Sequence, residues 1–219
     1  MKVLATLLPI ALSARSVSAA TWYFLRYNTP TDSKFTGLSG ELVVPELPAA
    51  ATYYLWPGLQ PTDGSGVYQN VLDGKSGTWW FGTGWCCSNP SLPWGSGFNT
   101  YAGETVKFEN TLDADGANWS STVVHESTGT SKTDSFALSE KSFNQALFAI
   151  ELYDRDWDFG ELKFQNVVIT ATGTDDSWCN DSPENYNGAA SFSVTGVKAS
   201  VSDNVVTCNI DSLVLEGPA

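Results

Sequence analysis

The stretch QALFAIELYDRDWDF, residues 145–159, contains the alternation on which the fold assignment rests. Side chains of a β-strand point alternately to its two faces. One face of this stretch is apolar: Phe148, Ile150 and Leu152. That face predicts a strand packed on a core, and it leaves Glu151 on the opposite face. In a partly dry groove, desolvation would raise the pKa of Glu151, as a general acid or base requires. On an open face, Glu151 would be an ordinary solvated side chain.

Similar short strands recur along the chain. They are rich in Val, Thr, Phe, Tyr and Trp, and clusters of Gly, Pro, Asn and Asp separate them. This pattern predicts an all-β fold, a two-sheet antiparallel β-sandwich of the jelly-roll type. No linker, low-complexity tract or internal repeat interrupts it, so we expect one domain over residues 21–219.

Residues 1–20 have the pattern of a secretory signal peptide. Lys2 precedes an apolar run that is too short to span a bilayer, and small residues follow up to Ala20. We expect cleavage near Ala19 or Ala20 and a secreted, extracellular protein. No later stretch is long and apolar enough to cross a membrane.

The charge balance is strongly acidic. The net charge is −13 from 11 basic and 24 acidic residues. Lys2 and Arg15 fall within the leader, so nine basic residues remain against 24 acidic ones, a charge of −15. Such a chain repels nucleic acid and anionic membrane surfaces, and we expect neither as a partner. The charge suits an acidic medium, or it serves solubility alone. We expect a monomer.

Four cysteines in a secreted chain predict two disulfides. Cys179 and Cys208 are placed to join the two C-terminal strand regions. Cys86 and Cys87 are adjacent and form either a vicinal bridge or bonds to distant partners. Oxidation disfavours a thiolate metal site, and His125 is the only histidine, which we expect on an exposed strand face. We therefore expect no metal and no histidine-based nucleophile.

Two Asn-x-Ser sequons predict surface glycans. The first, at Asn118, is a credible acceptor on a secreted protein. The second, at Asn180, is weakened by Pro183.

Nine tryptophans are many for this length, and five of them fall between residues 56 and 94. Aromatic faces in a cleft stack on sugar rings or peptide side chains, whereas a core uses them as filling. In GTWWFGTGW, residues 77–85, alternation sends Trp79 and Phe81 to one face and Trp80 to the other. The candidates for contacting a substrate are Trp56, Trp79, Trp80, Trp85 and Tyr153. Gln69 is a further candidate, because an amide in a cleft can stabilise a developing oxyanion.

Six segments, taken in order, form a pattern: LSGELVVP (38–45), YLWPG (54–58), GVYQNV (66–71), FNTYAGETVKF (98–108), VVHESTGTS (123–131) and ALFAIELYDRDWDFGELKFQNV (146–167). Together they resemble the fungal glutamic peptidases, or eqolisins, which are acid proteases. Gln69 stands where the family has its catalytic glutamine. The last segment usually has two glutamates in the family. Here Leu147 replaces the first, and Glu151 aligns with the second.

This resemblance implies a concanavalin A-like sandwich and a mechanism without metal or cofactor. Glu151 would act as general base on a water that attacks the peptide carbonyl. Gln69 would orient that water and stabilise the oxyanion, and Glu151 would then protonate the leaving amine. The resemblance thus predicts a secreted acid endopeptidase-like hydrolase that acts on polypeptides.

The density of tryptophans supports an alternative, a carbohydrate-active or carbohydrate-binding protein on the same sandwich. Glycosidases use two carboxylates, so Glu151 would need a partner. The possible partners are Asp73, Glu104, Asp154 and Asp156. Asp154, Asp156 and Asp158 also raise the possibility of calcium, although an acidic solvated turn is the favoured explanation. A third possibility is a secreted or cell-wall interaction protein without catalytic activity.

Overall fold

The computed structural model describes residues 20–87 and 89–219. The predicted leader therefore lies almost wholly outside the described residues. Fifteen strands and two short helices make up this part of the chain. The strands are β1 (Ala20–Asn28), β2 (Phe35–Val43), β3 (Tyr53–Pro61), β4 (Gly66–Asp73), β5 (Trp79–Cys87), β6 (Gly97–Thr100), β7 (Thr105–Leu112), β8 (Trp119–His125), β9 (Thr130–Phe136), β10 (Phe143–Tyr153), β11 (Leu162–Thr172), β12 (Glu184–Asn185), β13 (Ala190–Thr195), β14 (Lys198–Ser202) and β15 (Val205–Pro218). The helices are α1 (Ser177–Asn180) and a 3₁₀ turn at Tyr186–Gly188.

The strands form two antiparallel sheets, which confirms the predicted β-sandwich. The first sheet has the order β12-β1-β10-β3-β4-β5-β6, and the second has the order β13-β15-β11-β2-β7-β8-β9. β14 adds to the second sheet by pairing with β15. β10, β3 and β4 lie at the centre of the first sheet, so residues on their outer faces share one continuous surface.

The inner faces of the two sheets bury the main core. Phe148, Ile150 and Leu152 of β10 are at most 1% exposed and belong to it, as the alternation predicts. A polar network lies inside this core as well. Asn70 donates to Thr83 (2.8 Å) and Ser121 (3.0 Å), and Asn110 donates to Asn70 (2.6 Å). The network ties β4 and β5 of the first sheet to β7 and β8 of the second.

Two disulfides are present. Cys179 in α1 bonds to Cys208 in β15, as predicted, with 5.6 Å between their Cα atoms. Cys86 and Cys87 bond to each other at the end of β5, which selects the vicinal alternative.

His125 is not on an exposed face, contrary to the expectation. It is only 4% exposed, and its Nε2 lies 3.0 Å from the Glu104 carboxylate. His125 lies on the same inward face of β8 as the buried residues Trp119 and Val123, and its ring packs 5.3 Å from that of Phe98.

Within the described ranges, no helix is long and apolar enough to cross a bilayer. The same residues contain no group of three or more His, Cys, Asp or Glu side chains arranged to hold a metal ion.

Candidate active-site groove

The pairing of β10, β3, β4 and β5 brings distant residues into rows across the outer face of the first sheet. Glu151 lies opposite Tyr54, Tyr54 opposite Asp73, and Asp73 opposite Trp80. These four residues form one row, which we call the carboxyl row. Because neighbouring strands are about 4.8 Å apart, the Cα atoms of Glu151 and Asp73 are separated by about 10 Å.

A groove of about 450 Å³ lies over this face. Its lining residues come from β3, β4, β5, β10 and the segment after β5: Tyr54, Gln69, Val71, Asp73, Trp80, Cys86, Cys87, Trp94, Glu151 and Tyr153. Glu151 therefore faces a partly enclosed groove rather than open solvent.

Glu151 is held by aromatic side chains. The Tyr153 hydroxyl donates to its Oε1 at 2.5 Å. Burial raises the pKa of Glu151, while Tyr153 and the indole N–H of Trp56 oppose that rise. The Trp56 indole approaches the carboxylate without reaching full hydrogen-bond geometry. The hydrogen bond to Glu151 is also the main reason why the pKa of Tyr153 rises to about 12. Glu151 thus keeps its proton to higher pH than an exposed glutamate.

Asp73 is the second carboxyl in the groove. Its Oδ1 accepts the backbone N–H of Lys75 at 2.8 Å, which fixes the side chain at the end of β4. Both carboxyls affect Tyr54, which lies between them. Burial is the largest cause of the raised pKa of the Tyr54 hydroxyl, and the negative charges of Asp73 and Glu151 raise it further. Two carboxyls therefore flank one tyrosine in the same row.

Gln69 lines the groove too, but in a different row. It lies opposite Gly58, which lies opposite Leu147 on β10. Gln69 and Glu151 are thus offset by four residues along the strands and by two strands across, about 16 Å between Cα atoms in an ideal sheet. Gln69 is 6% exposed, and its Oε1 has no hydrogen-bond partner among the described residues.

Glycines on β5 and β6 hold two indoles flat against the sheet. A Cβ built on Gly82 or Gly97 would stand within 2.3 Å of the Trp80 ring, and one on Gly84 would stand 2.0 Å from the Trp94 ring. Trp94 is 50% exposed, so its other ring face is open. Trp94 was not among the predicted substrate contacts, because the sequence does not show that Gly84 lies beneath its ring.

The structure separates the predicted aromatic candidates. Trp80 and Tyr153 line the groove, whereas Trp56 is 2% exposed and borders a neighbouring depression of about 320 Å³ on the same face. Placing Trp79 and Trp85 at the substrate was wrong. Both are buried in the core between the sheets, because odd-numbered residues of β5 point inward.

The other candidate carboxylates lie away from Glu151. Glu104 accepts hydrogen bonds from Tyr101 and Thr100 and contacts His125, in a turn before β7. Asp154 and Asp156 lie in a separate depression with Asp158, and Asp158 accepts the Tyr53 hydroxyl at 2.9 Å. Asp73 is thus the one candidate partner that lies in the groove with Glu151.

Of the two predicted glycan acceptors, Asn118 precedes β8 and is partly exposed. Asn180 is exposed at the end of α1. Their glycosylation stays a prediction.

No family model and no curated protein matches the sequence. Solved structures do match. A structure of scytalido-glutamic peptidase with a transition state analog inhibitor has a TM-score of 0.52 at 19% identity, and one with a peptide-based transition state analog has 0.51 at 17%. Each match covers 89% of this chain and 100% of the other. A structure of SCP-B, a member of the eqolisin family, in complex with the tripeptide Ala-Ile-His gives 0.48 at 16% identity, with the same coverage. The predicted resemblance therefore holds for the fold: this chain is built on the β-sandwich seen in the glutamic peptidases.

Proposed function

We propose that this protein hydrolyses a polysaccharide in the groove, with Glu151 as general acid and Asp73 as the second carboxyl. The observation that carries the proposal is the carboxyl row, in which both residues flank Tyr54 two strands apart. Glycoside hydrolysis needs one protonated and one ionised carboxyl on either side of the bond. The raised pKa of Glu151 supports its assignment as the acid.

The spacing favours the inverting form of this reaction. Inverting enzymes keep their carboxyls roughly 6.5–9.5 Å apart, which leaves room for a water. Side chains that rise in parallel from Cα atoms about 10 Å apart fall near that range. Glu151 gives its proton to the glycosidic oxygen as the C–O bond breaks. Asp73 takes a proton from the water whose oxygen bonds to the anomeric carbon.

The second candidate is hydrolysis of peptide bonds by Glu151 with help from Gln69. Gln69 favours it, because this residue lines the same groove, its buried Oε1 has no partner among the described residues, and the solved peptidases share the fold. The offset of about 16 Å between the two Cα atoms is too long for both side chains to hold one water in an ideal sheet. For this reason we rank peptide hydrolysis second.

One experiment separates the two candidates. The purified protein is incubated at about pH 4 with neutral polysaccharides and, separately, with acid-denatured protein. New reducing ends and new amino termini are counted. We expect reducing ends, and we expect Glu151→Gln and Asp73→Asn each to lower their release by about 10²-fold or more. The control Glu140→Gln changes an exposed carboxyl outside the groove and should have no effect.

Cleavage of protein alone would reject the first candidate. The second would gain support if that cleavage were lost in Glu151→Gln and Gln69→Leu but kept in Asp73→Asn. Absence of hydrolysis on both substrate classes would reject both candidates.

We also propose that the protein acts outside the cell. The leader-like residues 1–20 and the two disulfides support this, since disulfides persist in oxidising compartments. Amino-terminal sequencing of the chain from culture medium tests it, and a start near Thr21 is expected. Retention of the complete leader in an intracellular protein would contradict it.

A further inference from the structure

The end of the groove beside Gln69 has three features that the carboxyl chemistry does not use. They are the indole of Trp94, the amide of Gln69 and the Cys86–Cys87 disulfide, which all line the same groove. We infer that this end is a subsite for one neutral sugar residue of the substrate. We call it the Trp94 subsite. The inference deepens the proposed function and rests on it.

The indole of Trp94 supplies a flat apolar platform. It lies directly on the backbone of Gly84, where any Cβ would meet the ring at 2.0 Å. With one face supported by the strand and half of the side chain exposed, the other face is available to a ligand. Aromatic faces of this kind stack on the apolar C–H face of a sugar ring.

Gln69 supplies the polar contact at the same place. It lies opposite Gly84 in the strand pairing, so its side chain is next to the glycine that Trp94 covers. Its Oε1 is buried without a donor within the described part of the chain. A buried acceptor without a partner is costly. Because this oxygen is buried, the amide must turn toward the groove before a ligand hydroxyl can donate to it. A sugar hydroxyl is a suitable donor for that contact.

The charge of the groove selects against anionic polymers. Asp73 and Glu151 line it, and no Lys or Arg is found among the described residues of its lining. A uronate or sulfate group would meet two carboxyls and an unpaired acceptor oxygen, with no cation to compensate. A neutral hexose or pentose unit avoids this repulsion, and its hydroxyl groups can donate to the unpaired oxygen of Gln69.

Trp80 connects this subsite to the carboxyl row. It belongs to that row, and its ring extends over Gly82 and Gly97. Gly84 follows Gly82 on the same face of β5, two residues and about 6.6 Å farther along. The two indoles are thus consecutive platforms, so a sugar chain cleaved at the carboxyl row continues along β5 to Trp94.

Binding of defined oligosaccharides tests this subsite separately from catalysis. Calorimetric titration of Glu151→Gln with cellohexaose, xylohexaose, mannohexaose and laminarihexaose avoids turnover. We expect at least one of them to bind, and hexagalacturonate to bind at least tenfold more weakly. In that background, Trp94→Ala should weaken binding roughly tenfold. The control Tyr101→Ala removes another exposed aromatic, 62% exposed and outside the groove, and should not weaken it.

A second pair of variants distinguishes a ligand contact from a structural role. Gln69→Leu fills the same space and removes the unpaired oxygen, so it should weaken binding several-fold while leaving the melting temperature equal or higher. Gln165→Ala on β11 of the other sheet is its control and should leave binding unchanged.

Three results would overturn the subsite: no binding of any neutral hexaose, equal affinity for hexagalacturonate, or unchanged affinity in Trp94→Ala. Binding without hydrolysis by the unsubstituted protein would keep the subsite and reject the proposed catalysis, so the two failures are distinguishable.

Discussion

Replacing Gly84 with alanine tests whether the position of the Trp94 ring depends on a residue without a Cβ beneath it. The new Cβ would stand 2.0 Å from Cε3 of Trp94, whereas ordinary contacts begin at 3.4 Å. The ring must therefore rise by about 1.4 Å, the difference between those two distances. A gap of 0.5–1 Å already removes about a quarter to a half of the dispersion energy between facing atoms. The indole should lose its support on the strand and its fixed orientation.

The strand itself should tolerate this change. Gly84 does not have a positive φ, so alanine fits the backbone conformation. Trp94 is half exposed, so its ring can move outward without opening the core. We expect a stability change within about 1 kcal/mol and a roughly tenfold loss of hexaose affinity, equivalent to about 1.4 kcal/mol.

Fluorine NMR of fluorotryptophan-labelled protein measures the displacement. The Trp94 resonance is assigned by its absence in Trp94→Phe, and Gly84→Ala should shift and broaden it. The control is Gly217→Ala, because a Cβ there meets nothing within 4 Å and its φ is also not positive. An unchanged Trp94 resonance together with unchanged affinity would refute the reasoning.

Three further predictions concern stability. Asn70→Ala removes the hydrogen bonds to Thr83 and Ser121 and leaves the buried amide of Asn110 without its acceptor, so we expect a loss of about 3 kcal/mol in urea unfolding; exposed Asn209→Ala on β15 should cost less than about 0.5 kcal/mol, and equal losses would contradict this explanation. Glu151→Gln should raise the melting temperature at neutral pH. The pKa of Glu151 is raised in the folded state, so the folded protein loses stability as pH rises from the unfolded-state pKa of about 4.3 through the raised value, and glutamine removes that loss. The gain should shrink below about pH 4.3, and a gain that grows on acidification would show that Glu151 is not desolvated. Replacing both Cys179 and Cys208 with serine opens a loop closed across 29 residues and should cost about 3–4 kcal/mol; a change below about 1 kcal/mol would show that the bridge does not constrain the unfolded chain.

Much of the fold was predictable because it depends on alternation. The inward face of β10 and the opposite directions of Trp79 and Trp80 both follow from a period of two, and both are as predicted. The same rule shows that Trp79 and Trp80 cannot both line one groove, but it does not say which face of β5 meets the core. The assignment of Trp79 and Trp85 to substrate contact gave tryptophan density more weight than side-chain direction.

The rows across the sheet were not predictable, because register depends on pairing between strands distant in sequence. Alternation puts Gln69 and Asp73 on the same face of β4, four residues apart, and does not say which lies level with Glu151. The pairing of β3 with both neighbours decides this in favour of Asp73. Burial of His125, by contrast, follows the alternation of β8, whose odd-numbered residues are all buried.

The role of the glycines was hidden for a different reason. In the sequence, Gly82, Gly84 and Gly97 resemble the turn glycines found elsewhere in the chain. Only the structure shows that none of the three has a positive φ and that each lies beneath an indole.

The most direct test of the carboxyl row is the pH dependence of kcat/KM on a neutral polysaccharide, compared between the unsubstituted protein, Asp73→Asn and Gln69→Leu. Glu151 as general acid must be protonated, so activity should fall as pH rises through its raised pKa. Asp73→Asn should lower kcat/KM by about 10²-fold or more at every pH. Gln69→Leu should lower kcat/KM far less, and its kcat/KM should fall at the same alkaline pH as that of the unsubstituted protein. Full activity in Asp73→Asn, or no alkaline fall in the unsubstituted protein, would contradict the assignment of Glu151 and Asp73 as the hydrolytic pair.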